Sequence, residues 1–123
     1  MRRDTIARAL PVALALLLVV TGVWTGPLAG QRALAAEEEY VADRLSDASC
    51  LTDWGVNEGA GPSRDASVRG LSASGVRVHV TVPYATETVV DNSTVYGDTA
   101  SEAVYLVTPL STRRVEGDDL PAC

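Results

Sequence analysis

The chain has 123 residues, room for one domain, and sets sixteen Asp and Glu against ten arginines and no lysine, a formal net charge of −6. Residues 36–123 hold fifteen of the acids and six of the arginines, with no basic cluster beyond Arg113 and Arg114. Binding nucleic acid needs several cations on one face, so that partner is excluded as an expectation.

The first element along the chain is apolar. Residues 9–31 form a run of 23 without formal charge, preceded by Arg2, Arg3 and Arg8 against Asp4, and followed by Arg32 and then Glu37, Glu38 and Glu39. As a helix the run covers roughly 35 Å at about 1.5 Å per residue, enough for a hydrocarbon core of about 30 Å. It reads as a single-pass transmembrane anchor, or uncleaved signal, whose partner is membrane lipid. The flanking charges keep residues 1–8 in the cytoplasm as a basic N-terminus and send the remainder outside. The alternative is a signal peptide cut after Ala35, where Ala33-Leu34-Ala35 supplies a small-x-small site and the product is secreted. A twin-arginine signal fits less well, because Thr5 stands where a hydrophobic residue is wanted.

Residues 32–50 have helical spacing. Leu34, Val41, Leu45 and Ala48 fall on one side, and Ala, Glu and Leu dominate. Glu37, Glu38 and Glu39 read as a solvated face near the helix start, where acids suit the dipole. With the anchor retained, this amphipathic helix is expected to stand on the membrane as a stalk.

Residues 51–123 read as a small extracytoplasmic β-rich domain. "GVNEGAGPSRD" (55–65) is a loop by composition. "ASVRGLSA" predicts a strand, with Ser74-Gly75 as the turn after it. In "GVRVHVTVPY", Val76, Val78, Val80, Val82 and Tyr84 alternate with Arg77, His79 and Thr81, which predicts a strand with one buried and one wet face. Pro83 is expected to end it at an edge or exit. "ETVVDNSTVYGD" predicts short strands around a polar turn, "EAVYLVTPL" a further strand and "TRRVEG" the last. The expected fold is α+β: a membrane helix, then one amphipathic helix packed on a small antiparallel sheet of four or five strands.

The acidic, lysine-free composition, with segments such as "DASVRGLSASGVRVHVTVPY", resembles that of exported proteins of salt-loving archaea. The resemblance is one of composition and brings no catalytic residue, cofactor or partner with it.

The candidate sites are few. Cys50 and Cys123 are the two cysteines, and in an oxidising compartment an even pair bridges; the closed loop spans 74 residues. Asn92-Ser93-Thr94 is an N-glycosylation sequon in a predicted turn, which makes Asn92 a glycosylation candidate. His79, the one histidine, reads as an exposed strand residue. Two cysteines and one histidine fall short of a zinc set, "GAGPSR" lacks the glycines or lysine of a nucleotide loop, and no cofactor is expected. The functional expectation is a non-enzymatic accessory or interaction module of the cell envelope with an envelope protein as partner. The rivals are a secreted small domain and a small envelope hydrolase using His79. A solute-binding domain is disfavoured by the volume that 88 exported residues can enclose.

Overall fold

The computed structural model describes residues 28–120. The basic N-terminus, the apolar run through residue 27 and Cys123 lie outside the described residues. One helix, α1 (Ala29–Ser46), packs on an antiparallel sheet of β1 (Leu51–Val56), β2 (Asp65–Ser72), β3 (Gly75–Val90), β4 (Ser93–Val107) and β5 (Thr112–Gly117). One helix on an antiparallel sheet, with a strand count within the expected four or five, is as the residue pattern predicts.

A long hairpin of β3 and β4 forms the spine. Asp91 and Asn92 close it with φ of 50° and 63°. Both residues tolerate the left-handed region, and a two-residue turn of this kind matches the strand twist. The polar turn expected in "ETVVDNSTVYGD" is therefore present, but its flanks are the ends of two long strands rather than separate short ones. β5 pairs with the second half of β4. β2 and β1 lie end to end along the other edge of β3, against residues 75–81 and 84–88.

Period-two alternation decides the faces. Val76, Val78, Val80, Val82 and Tyr84 are buried beneath α1 with Ala103, Tyr105 and Val107 of β4. Fully burying such side chains contributes about 1.5–3 kcal/mol each. From α1 come Ala29, Ala33, Leu34, Val41 and Leu45, and Ala48 follows just beyond its end. The predicted stripe of Leu34, Val41, Leu45 and Ala48 is thus the core stripe.

Several expectations need correction. The helix packs on the sheet as expected, and does so from its first turn, three residues earlier than the spacing placed its start. Residues 29–31, assigned by hydropathy to the membrane run, belong to α1: Ala29 is fully buried and Gly30 rests against Ala66 of β2. A buried core helix and a membrane helix expose the same apolar composition, so hydropathy could not divide them. Residues 55 and 56, read as loop, complete β1, a strand too short and too irregular in burial for alternation to register.

Pro83 lies in the middle of β3 rather than at its end. Its carbonyl accepts from the Asn57 amide at 2.7 Å, so its nitrogen also faces that edge, in the gap between β2 and β1. No ladder bond is lost there, which removes the usual objection to proline in a central strand. The 57–64 loop spans the same gap and reaches β4. Gly59, at φ 100°, leaves no room for a Cβ against Asp98, and Gly61 lies over the Thr99 backbone.

Ser101 is the one buried polar side chain without a partner among the described residues. Ser101→Ala removes that unpaired hydroxyl and is expected to raise stability by about 1 kcal/mol, seen as a higher denaturant midpoint at unchanged slope. A lower midpoint would show that the hydroxyl is satisfied in solution.

Candidate functional site

His79 projects from the face of β3 opposite α1, level with Ser67 of β2 and Val104 of β4. Its Nε2 is 3.7 Å from Glu102 Oε1, and its side chain is about a quarter exposed. A shallow groove of about 340 Å³ adjoins it, lined also by Glu116 and Asp118. Among the described residues no hydroxyl hydrogen-bonds the imidazole, and no cluster of three His, Cys, Asp or Glu is placed to hold a metal. The arrangement is an acid-rimmed open strand face rather than a nucleophile–base pair.

Asn92 occupies the second turn position at the exposed tip of the β3–β4 hairpin. Cys50 sits at the junction of α1 and β1, directly before Leu51, and no described cysteine is free. Its expected partner, Cys123, lies outside the described residues. The tail leading to it is pinned by Leu120, which is 4% exposed within the core.

The most organised polar cluster is one that local pattern misread. Glu37, expected to face water, is fully buried in the stripe of Ala33, Val41 and Leu45. Arg114 Nε donates to Glu37 Oε1 at 3.0 Å, and Tyr105 Oη donates to the same oxygen at 3.3 Å. Arg114 Nη2 also donates to the Asp118 carbonyl at 2.8 Å, and its guanidinium carbon lies 4.0 Å from the centre of the Tyr40 ring. One residue of α1 is thereby tied to β4, β5 and the segment after β5. Burial opposes the charge on Arg114, but the hydrogen bonds and attraction of Glu37 outweigh it and raise its pKa. The cluster is internally satisfied and closed to ligands, so it acts as a brace.

Burial pushes the Tyr105 hydroxyl well above the ordinary phenol range, and the adjacent Glu37 charge adds to this. Tyr84 is raised by burial and then by Asp118. For a phenol raised on folding, the stabilisation is complete below pH of about 10 and is lost as pH rises above it, because the unfolded chain releases a proton the folded chain keeps. Tyr105→Phe is therefore expected to leave the phenolate absorbance that develops near pH 10 in the folded protein unchanged. A decrease equal to the absorbance of one tyrosinate would show the ring titrating in place.

The remaining feature is an open strand edge. The Pro83 carbonyl points away from β4, so Ala100 opposite it points away from β3, and by alternation so do Asp98, Tyr96 and Thr94. Glu102, next in the series, confirms the direction: its carbonyl accepts from the Asp118 amide, and its amide donates to the Asp118 carboxylate, each at 2.9 Å. β5 stops pairing at Ala103, and among the described residues no strand pairs with β4 on that side beyond Glu102, while the 57–64 loop lies against Asp98 and Thr99. Apolar side chains surround this end of the hairpin: Val89, Val90 and Val95 are about half exposed, Tyr96 is 75% exposed, and Trp54 stands on neighbouring β1. Sequence reasoning could not locate this edge, because openness is a property of where β5 ends.

Among the described residues the fold and surface are those of a small α+β domain with a braced core, an acidic groove and a length of β4 that no strand pairs on its outer side. No family model matches the chain, and no curated protein or solved structure matches it.

Proposed function

We propose that this protein is a membrane-anchored, extracytoplasmic interaction module of the cell envelope, docking an envelope partner by strand addition on the edge of β4. The anchoring rests on the start of α1. Ala29, Ala33 and Leu34 are core residues, so a cut after Ala35 would remove the first two turns of the helix and three of its buried side chains. That argues against the secreted alternative at this cleavage site and for keeping the apolar run attached. Leu28, just before α1, has helical φ and ψ and makes no side-chain cap bond. Among the described residues no helix is long and apolar enough to cross a membrane, and the part of the 9–31 run before residue 28 lies outside them.

The docking half of the reading rests on the outward N–H and C=O groups of Thr94, Tyr96, Asp98 and Ala100 and the apolar side chains around them. An edge of this kind is either blocked or used. Asn92, at the adjacent tip, is a position that a glycan could occupy without entering the core. The hydrolase reading has only the contact between His79 and Glu102 in its favour.

The test is a fusion of the carboxyl terminus to a phosphatase that is active only outside the cytoplasm, combined with alkaline carbonate extraction of membranes. Activity in the carbonate-resistant fraction is expected. An inactive fusion overturns the topology, and full extraction into the supernatant overturns the anchor.

A further inference from the structure

From charge placement and exposed leucines at one end of the domain, we infer that this end is a second contact with the membrane, a face that rests on anionic lipid headgroups. The inference rests on the anchored reading above.

Three segments meet where α1 begins. They are residues 28–36 of the helix, residues 66–78 through the β2–β3 turn, and residues 103–114 through the β4–β5 turn. Pairing of Val76 with Val107 brings the two turns side by side, and Gly75 sits against Val107 and Thr108. Arg32 ties the helix to the same place, donating to the Thr108 carbonyl at 2.6 Å. None of the three segments contains an Asp or Glu, although the chain as a whole is acidic.

The arginines of these segments gather across the sheet. Arg77 of β3 is level with Leu106 of β4, and Leu106 with Arg113 of β5, while Arg69 lies at the bulge of β2 beside Arg77. Arg69, Arg77 and Arg113 are exposed. Among the described residues neither these three nor Arg32 forms an ion pair. Below this row, at the turns, stand Leu110, which is 96% exposed, and Leu71, at 68%; Leu28, at 44%, is where the chain arrives from the apolar run.

Exposed leucines beneath a row of unpaired cations fit the boundary of a bilayer. The leucines enter the acyl region, and the long arginine stems let the guanidiniums stay at the phosphates. A nucleic-acid surface would leave the leucines in water. The chain already reaches lipid through the residues just before Leu28, so docking this end costs little further loss of freedom.

The test uses the full chain reconstituted in vesicles of phosphatidylcholine, with or without one quarter phosphatidylglycerol, carrying bromine on the acyl chains. Flotation reports anchoring. Leu110→Trp, a change at a fully exposed turn that should not disturb folding, reports the face through quenching of the emission it adds over the parent. Flotation with loss of about half the added emission, greater with the anionic lipid, is expected. Arg77→Ala and Arg113→Ala should each lower the docking equilibrium constant about fivefold. A floating protein whose added emission is unquenched overturns the lipid face and leaves the anchor standing. Failure to float overturns both.

Discussion

Glu37→Ala is expected to destabilise the domain by about 3–5 kcal/mol, the cost of removing one member of a buried ion pair. The loss of attraction is the smaller part. Arg114 is only 19% exposed on its side chain, and without Glu37 its guanidinium keeps the cost of leaving water with a single carbonyl, that of Asp118, and the Tyr40 ring as compensation. Tyr105 Oη loses its acceptor in the same step. The double variant Glu37→Met with Arg114→Met should recover most of the loss, because both desolvated charges go together and apolar stems of similar volume replace them. Denaturant midpoints of the parent, Glu37→Ala and the double variant are the measurement. A Glu37→Ala change below about 1 kcal/mol would mean that water reaches the pair, contrary to the burial described.

Cys50→Ser is expected to cost a similar amount, about 4 kcal/mol, if Cys50 and Cys123 are bridged. The bridge would close 74 residues and fasten the end of the chain to the corner where α1 hands over to β1. Its contribution is chiefly a restriction of the unfolded chain, and it comes on top of the hold that buried Leu120 already has on the tail. A reductant should lower the midpoint of the parent protein and leave that of Cys50→Ser unchanged. The oxidised parent should weigh two hydrogens less than the reduced form. If reductant leaves the parent unmoved, there is no bridge, and the inference of an oxidising compartment loses its chemical support.

These two variants separate what was readable from what was hidden. The Val76 to Tyr84 alternation and the spacing of Leu34, Val41 and Leu45 are local regularities, and each appears in the fold on the side the pattern assigns. The turn at Asp91 and Asn92 was likewise legible, since both residues are suited to positive φ. Glu37 was misread because its partner is 77 residues away, and a carboxylate looks solvated unless the guanidinium that accompanies it is known.

The α+β class, the buried faces of α1 and β3, and the acidic, arginine-only character of the chain were all legible along the chain. Each of these follows from composition or from a period of two or 3.6 along the backbone. Contacts between distant segments were needed to place residues 29–31 in the domain, to set Pro83 harmlessly between two end-to-end strands, and to leave β4 unpaired by any strand beyond Glu102 among the described residues. They also gathered Arg32, Arg69, Arg77 and Arg113 at one end. Those outcomes depend on which distant segments meet, and neighbours along the chain carry no record of that.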